Sequence, residues 1–245
     1  MQRGLAADQA EARNLVESGM VQVAGCLKPR PGTLCQPDCH VALTREIKKF
    51  VSRGGKKLAA ALDAFALDVT GLVCADIGCS TGGFTDCLLQ NGAARVYAVD
   101  VGYGVLAWKL RSDERVVVLE RCNARYIGPE HIPEPIDLAV IDASFISLEL
   151  LLAPLMHLFG KKDIRIVALV KPQFELKKEQ VEPGGVVRDE KLQGVALEKI
   201  RRVAKGLGLT CEAEVSSPIR GARAGNQEFL LFLTGNARDQ QAARS

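Results

Sequence analysis

Four charged residues stand where an apolar segment begins or ends, in the chain order Lys57, Asp142, Lys171 and Glu228. Lys171 follows the apolar run 164–170, and a lysine that ends a buried strand loses solvation free energy unless it is paired or neutral. Such a lysine is a candidate base for proton transfer. The alternative is a surface lysine whose stem lies along apolar residues. Lys57 and Glu228 alone could each be an ordinary surface charge, but together with Asp142 and Lys171 they form the order Lys, Asp, Lys, Glu.

A glycine-rich turn follows the apolar segment that ends at Asp76, and a second acid, Asp100, comes about 20 residues later, as in nucleotide-type α/β domains. The glycine spacing is Gly-x-x-x-Gly-Gly over residues 78–83, whereas the turn that brings a backbone close to a pyrophosphate is Gly-x-Gly-x-x-Gly. The spacing disfavours a dinucleotide and favours a ligand without phosphates, for which S-adenosylmethionine is the candidate.

Polar side chains also follow the other predicted strands. In an open α/β sheet, ligands bind beyond the carboxyl ends of the strands. Acidic groups at Asp76 and Asp100 could accept hydrogen bonds from ribose hydroxyls or lie near a cationic group, and Asn123 could contact an adenine edge. The alternative is that each strand-end Asp caps the helix that follows.

Apolar runs separated by helix-length segments predict an α/β fold with a mostly parallel sheet and helices on both faces. This domain is expected over residues 52–235, followed by a polar tail at 236–245. The predicted strands are 72–76, 96–100, 116–119, 138–142, 164–170, 210–215 and 229–233.

The composition is typical of a globular protein, with 47% hydrophobic and 25% charged residues in a chain of 245. The sequence shows no apolar stretch of membrane-spanning length and no signal-peptide pattern at its start, so we expect a cytoplasmic location. Several cysteines lie within apolar patterns, which favours reduced, buried thiols over disulfides.

Positive charge is concentrated near the N-terminus, since residues 1–60 contain ten Lys or Arg against five Asp or Glu. A helix pattern from Asp8 to Gly19, a short strand and a turn resemble the second half of a small RNA-binding module. We expect a shortened α+β module of this kind at 1–43, joined by a linker at 44–51. A plain solvated face is the alternative.

Seven segments in order resemble the haemolysin A/TlyA group of FtsJ-type ribose methyltransferases. They are VSRGGKKL at 51–58, DIGCSTGGFT at 76–85, VDVGYG at 99–104, NAR at 123–125, IDASFIS at 141–147, VKPQFE at 170–175 and GNQEFL at 225–230. The resemblance implies a Rossmann-like methyltransferase sheet, S-adenosylmethionine as cofactor, and 2′-O-methylation of ribosomal RNA, which would make ribosomal RNA or ribosomal subunits the partner.

The resemblance also implies residue roles. The catalytic tetrad falls on Lys57, Asp142, Lys171 and Glu228, with Lys56 as an alternative for the first position. A cation at Lys57 would favour a neutral, proton-accepting Lys171; the alternative is that Lys171 only positions the hydroxyl. The cofactor-binding set is Asp76, Gly78, Ser80, Thr81, Gly82, Gly83, Phe84, Asp100, Val101, Asn123 and Asp142. The RNA contacts are Arg53, Lys56, Arg220 and Arg223, although a solvated loop is the alternative for the last two.

Other functions stay open at this point. Cys35, Cys39 and His40 supply only two or three of the four ligands of a zinc site, so no metal is expected. A non-catalytic RNA-binding or assembly protein, a membrane-active haemolysin-like protein and a small-molecule methyltransferase are the rival functions. The sequence predicts neither the target nucleotide nor an oligomeric state.

Overall fold

The computed structural model describes residues 4–17, 19–24, 26, 29–43, 49–222 and 224–236. The chain divides into two compact units, Met1–Lys49 and Phe50–Ser245. Phe50 and Val51 fall in the expected linker, but they pack in the second unit, where the Phe50 side chain is buried and the Val51 N–H donates to Asp86 Oδ2 at 2.8 Å.

The first unit contains one helix and a two-stranded hairpin. Helix α1 spans Gln9–Glu17, and strands β1 (Val21–Val23) and β2 (Val41–Leu43) pair antiparallel. The helix begins where Asp8 Oδ1 accepts the Glu11 N–H at 2.7 Å and ends before Gly19, which has a φ of 69°. Strand β2 was not predicted.

The second unit contains a seven-stranded sheet. Its strands are β3 (Val73–Ile77), β4 (Arg95–Val99), β5 (Val116–Leu119), β6 (Leu138–Ile141), β7 (Ile164–Val170), β8 (Thr210–Ser216) and β9 (Phe229–Gly235). The spatial order is β5-β4-β3-β6-β7-β9-β8. The first five strands in this order are parallel to one another, and β9 is antiparallel to both of its neighbours. The prediction of a mostly parallel α/β sheet is confirmed, and every predicted strand lies within two residues of an observed one.

Helices cover both faces of this sheet. They are α2 (Gly54–Ala64), α3 (Gly83–Gln90), α4 (Trp108–Arg111), α5 (Glu149–Met156), α6 (Pro172–Glu175) and α7 (Glu190–Gly206). Successive residues of a strand point to opposite faces, so Val167 packs with α2 and α3 residues while Ile166 packs with α5 and α7 residues. The two cores hold the sheet rigid, and its carboxyl edge presents the loops that carry polar residues.

The polar tail that the sequence predicts begins at Asn236, and residues 237–245 lie outside the described part of the chain. Within the described residues, no helix has the length and apolar character needed to cross a bilayer.

Candidate active site

A cavity of about 1120 Å³ opens at the carboxyl edge of the sheet, where β3, β4, β6 and β7 end. Its wall contains all but one of the eleven residues predicted to bind the cofactor; the exception is Gly82. It also contains all four residues of the predicted tetrad. This is the position at which parallel α/β sheets bind their ligands.

Gly78 brings the end of β3 close to the loop after β6. Its φ is 80°, a left-handed conformation that glycine adopts without steric cost. A Cβ atom at this position would lie 2.9 Å from Ala143 Cα and 3.0 Å from the Asp142 carbonyl oxygen. Glycine at 78 therefore lets the cofactor turn and the Asp142 loop share one wall of the cavity.

The two glycines at the end of the turn serve helix packing. Gly82, at a φ of 94°, faces Leu106 and Leu110, which explains why it does not line the cavity. A Cβ at Gly83 would lie 2.8 Å from the Gly55 nitrogen, so α3 can approach the start of α2 only because residue 83 has no side chain. This close approach directs the first turn of α2 toward the cavity.

Asp76 offers an unsatisfied acceptor to the cavity. Its side chain is completely buried, and Oδ2 accepts hydrogen bonds from the Thr85 N–H (2.9 Å) and hydroxyl (2.6 Å). Oδ1 has no hydrogen-bond partner. Burial raises the pKa of Asp76 to about 7, and the neighbouring Asp142 and Asp100 charges act in the same direction. A cationic group bound beside Oδ1 would satisfy this oxygen and stabilise the carboxylate.

Asp100 connects the first two βα loops. Its Oδ2 accepts the Ser80 N–H at 2.8 Å and its Oδ1 accepts the Gly102 N–H at 2.7 Å. Each carboxylate oxygen keeps a second lone pair for a ligand hydroxyl. Asn123 Oδ1 accepts the Arg125 N–H at 3.1 Å, which leaves the Asn123 amide N–H groups as donors for a ligand.

The tetrad residues form a continuous chain of ion pairs. Lys57 Nζ lies 2.6 Å from Glu228 Oε2 and 3.8 Å from Asp142 Oδ2, and Lys171 Nζ lies 2.5 Å from Asp142 Oδ1. The four side chains are between 4% and 20% exposed, so these pairs are shielded from solvent. Two ammonium and two carboxylate groups balance in charge, which is how a protein can bury them together.

The other three tetrad side chains do not all meet at Lys171. Asp142 bridges the two lysines, while Glu228 pairs with Lys57. Lys171 also donates to Ser144 Oγ at 2.8 Å. Ser144 was not predicted as a site residue, although its position in the loop after a buried strand that ends in an acid was a usable signal.

Lys57 and Lys56 have different environments despite being neighbours in the sequence. Lys57 lies on the buried face of α2 and lines the cavity, whereas Lys56 is exposed and does not line it. Of the two lysines, Lys57 is therefore the one that pairs with Glu228 and Asp142.

The predicted RNA contacts are found in different places. Arg53 and Arg220 line the cavity, and Arg220 Nη1 donates to the Gly225 carbonyl at 3.3 Å. Lys56 is on the exposed face of α2. Arg223 lies outside the described residues.

Phe145 and Phe174, for which the sequence predicted no role, line the cavity beside Lys171. Phe145 is 71% exposed, adopts a φ of 65°, and its ring centroid lies 5.1 Å from that of Phe174. A left-handed conformation is costly for an aromatic residue, and residues held in this way are concentrated at functional sites. The exposed Phe145 ring presents an apolar surface to whatever occupies this half of the cavity.

The buried carboxylate of Glu175 holds in place the loop that carries Phe145 and Ser147. Glu175 Oε1 accepts the Leu148 N–H at 2.8 Å, and Oε2 accepts the Ser147 hydroxyl at 2.5 Å. Lys199 Nζ, from α7, bonds both Ser147 Oγ (3.0 Å) and Glu175 Oε2 (3.2 Å). This network fixes the loop of Ser144 and Phe145 to α6 and α7.

Among the described residues, no group of three or more His, Cys, Asp or Glu side chains is arranged to hold a metal ion. Cys35, Cys39 and His40 belong to the first unit, outside the cavity.

Solved structures with a similar fold include methyltransferases. The magnesium protoporphyrin IX methyltransferase of Synechocystis, at 14% identity and a TM-score of 0.51, covers 75% of this chain with 82% of its own. At this identity the likeness shows the fold alone, which is the α/β methyltransferase fold.

The family model of FtsJ-like methyltransferases matches residues 50–234, and the chain belongs to that family. It is 46% identical over 234 residues to the 16S/23S rRNA (cytidine-2′-O)-methyltransferase TlyA of Mycobacterium tuberculosis, covering 95% of this chain and 87% of the relative. It is 37% identical to Hemolysin A of Brachyspira hyodysenteriae, covering 94% and 95%. A solved structure of a proposed hemolysin from Lactococcus lactis is 48% identical, with a TM-score of 0.74, over 78% of this chain and 91% of that one.

The protein is therefore an S-adenosylmethionine-dependent methyltransferase. The cavity suits this cofactor, because its α-ammonium group is the kind of cation that the unpaired Asp76 Oδ1 lacks. The ribose hydroxyls of S-adenosylmethionine are suitable donors to Asp100. The glycine turn at 78–83 leaves room for a ligand without phosphates.

Proposed function

We propose that this chain methylates the 2′-hydroxyl of a cytidine in ribosomal RNA. One observation carries the proposal: Lys171, held by Asp142 and Ser144, lines a cavity whose wall also contains the cofactor turn and the Phe145–Phe174 pair. The relatives' names supply the cytidine and the ribosomal RNA.

The residues suit an in-line displacement at a hydroxyl oxygen. When bound, S-adenosylmethionine supplies an electrophilic methyl group on a sulfonium. The chain's own contribution is to hold the acceptor oxygen in line and to remove its proton, since positioning supplies much of the rate in such a reaction. Asp142 Oδ1 and Ser144 Oγ fix Lys171 Nζ in the cavity, beside the place where the substrate hydroxyl has to lie.

After Lys171 has released its ammonium proton to solvent, its neutral Nζ is the group placed to accept the hydroxyl proton as the oxygen gains its methyl group. Lys57 keeps Asp142 in position from the other side, and Glu228 neutralises Lys57. Asp142 thereby remains an acceptor for Lys171 in both protonation states of the amine.

The aromatic pair has a role in this proposal. Proteins that act on single-stranded RNA stack the unpaired base on aromatic side chains. Phe145 offers an exposed ring beside the catalytic lysine, so a base stacked on it would place its own ribose near Lys171. Arg53 and Arg220 at the cavity wall supply positive charge for the flanking phosphates.

Intact ribosomal subunits are the proposed substrate form, and the cytoplasm is the proposed location. The test is to incubate the protein with labelled S-adenosylmethionine and each purified ribosomal subunit from a strain that lacks this protein. The proposal expects labelled 2′-O-methylcytidine after digestion of the RNA to nucleosides. Label in a base, or none in RNA from either subunit, would contradict it.

A further inference from the structure

One polar side chain in the cavity wall has no part in the mechanism above. Gln173, the second residue of α6, lines the cavity, and its Oε1 is buried without a hydrogen-bond partner. Among the described residues, Asp76 Oδ1 is the other unpartnered buried oxygen. Asp76 lies near the end of β3, on the cofactor side, whereas Gln173 follows β7, on the side of Lys171 and Phe174.

The position of Gln173 is fixed by its supports. Pro172 begins α6, and Glu175 ends it with bonds to the Leu148 N–H, the Ser147 hydroxyl and Lys199. Because both ends of this short helix are held, the carboxamide cannot move out to solvent by shifting the backbone. A buried acceptor without a partner carries its full desolvation penalty, and a ligand that donates a hydrogen bond removes this penalty.

The location indicates which part of a substrate would make that bond. In the sequence, Gln173 lies between Lys171, which meets the ribose hydroxyl in the proposed function, and Phe174, which packs on the Phe145 ring. All three residues line the cavity. A nucleoside bound there has its ribose at Lys171 and its base at the phenylalanine pair. The edge of the base is then the nearest polar part of the substrate to Gln173.

We propose that Gln173 reads the target base, with Oε1 accepting a hydrogen bond from the exocyclic amine of cytosine while the amide N–H donates to the neighbouring ring nitrogen. A glutamine carboxamide presents one acceptor beside two donors, and cytosine presents the complementary pair at N4 and N3. Uracil places a carbonyl oxygen and an N–H at the same positions. A carboxamide turned by 180° would match uracil, so Gln173 determines specificity for cytidine over uridine by keeping the observed orientation, with Oε1 in the buried position; this inference rests on the proposed function.

A site that hydrogen-bonds its substrate discriminates against an analogue without the complementary group, because the buried polar groups of the site are then left unpaired. A purely structural Gln173 would affect folding or cofactor affinity, but it would not affect the choice between two bases. The ratio of the two specificity constants separates these roles.

The test compares two forms of one substrate. The position that the parent enzyme methylates is first located, and the ribosomal subunit is then reconstituted with cytidine or with uridine at that position. The parent is expected to prefer the cytidine subunit in kcat/KM by about tenfold or more. Gln173→Met, which keeps the shape and removes both hydrogen-bonding groups, should lower kcat/KM for cytidine by a similar factor and bring the two substrates close to equality.

Two further variants complete the experiment. Gln173→Glu keeps an acceptor for the cytosine amine and should retain part of the preference for cytidine. Gln90→Met, the same change at an exposed position of α3 outside the cavity, should leave both constants unchanged. Calorimetry should give an unaltered affinity for S-adenosylmethionine in all three variants.

The outcomes are distinct. A folded Gln173→Met variant that keeps the parent's preference overturns the role of Gln173, as does a parent that methylates both subunits equally well. A parent that methylates no ribosomal RNA from its own organism overturns the proposed function instead.

Discussion

At the scale of single residues, the site depends on which of two adjacent lysines points into the cavity. Lys57 is within 2.6 Å of Glu228, whereas Lys56 is exposed on the other face of α2. Both lysines precede the same apolar helix pattern, and sequence alone left the choice between them open. The packing of Gly83 on Gly55 sets the rotation of α2 and so makes the choice.

The first prediction uses this pair. Lys57→Met should lower methyl transfer by about 10²-fold, because it leaves Glu228 buried without its cation and removes one support of Asp142. Lys56→Met is the matched control and, at saturating ribosomal subunits, should leave the single-turnover rate within a factor of about two, since Lys56 is exposed and does not line the cavity. Similar losses in both variants would contradict the assignment.

The second prediction concerns the pH dependence of cofactor binding. The pKa of Asp76 is raised to about 7 by burial, and the α-ammonium group of the cofactor should favour its ionised form. The affinity for S-adenosylmethionine should therefore rise by about tenfold between pH 5.5 and pH 7.5. Calorimetry across this range should show the rise in the parent and a flat profile in Asp76→Asn.

The raised pKa of Asp76 also extends the second prediction to the stability of the protein without ligand. Because its folded pKa exceeds its unfolded value of 3.8, the folded state holds a proton that the unfolded chain releases, and the stability this gives is lost as pH rises toward 7. The melting temperature of Asp76→Asn should fall less than that of the parent between pH 4.5 and pH 7.5. An equal fall in both proteins would show that other groups dominate.

At the scale of the elements, the glycine turn acts through close approach of two loops. Gly78 and Gly71 both adopt a positive φ, but a Cβ at Gly71 would meet no atom within 4 Å, whereas one at Gly78 would strike Ala143. The third prediction is that Gly78→Ala weakens S-adenosylmethionine binding by at least about tenfold, or about 1.4 kcal/mol.

Gly71→Ala is the control for this prediction. It should cost stability through its backbone conformation alone, about 1 kcal/mol, and leave cofactor affinity unchanged. Calorimetry of both folded variants measures the difference. Unchanged affinity in Gly78→Ala would show that the turn can move away from the Asp142 loop without loss.

The strands were predictable because each is a compact apolar run bounded by a turn or an acid. Val116–Leu119 and Ile164–Val170 were predicted with both ends correct. Other parts of the structure lacked such a signal. The Glu175, Ser147 and Lys199 network joins residues more than 20 positions apart, and the left-handed backbone of Phe145 follows from loop packing that no local pattern encodes.

At the scale of the whole molecule, positive charge lies in a narrower region than the first 60 residues. Residues 1–43 contain four Lys or Arg and four Asp or Glu, whereas residues 44–60 contain six against one. Of these, residues 44–49 of the first unit contain three against one, and residues 50–60 at the start of the second unit contain three against none. In this second group Arg53 lines the cavity and Lys56 is exposed one turn later. This placement favours phosphate contacts close to the catalytic site.

The fourth prediction follows from that placement. Replacing Arg53 and Lys56 together by Gln should weaken binding to ribosomal RNA and reduce the slope of log affinity against log salt by about 1–2, with unchanged affinity for S-adenosylmethionine. Replacing Lys161 and Lys205, exposed at the opposite edge of the sheet, should leave the slope unchanged. Filter binding over a range of salt concentrations measures both, and equal slopes in the two double variants would refute the placement.

The proposed mechanism of methyl transfer depends on Lys171 as the group that receives the hydroxyl proton. The most direct measurement is the single-turnover rate of methyl incorporation into a ribosomal subunit by Lys171→Ala, with affinities for cofactor and RNA measured on the same preparation. The affinities for cofactor and RNA should stay close to those of the parent, while the single-turnover rate should fall by about 10²-fold or more. A folded Lys171→Ala protein that keeps most of the parent's rate would contradict the proposed mechanism.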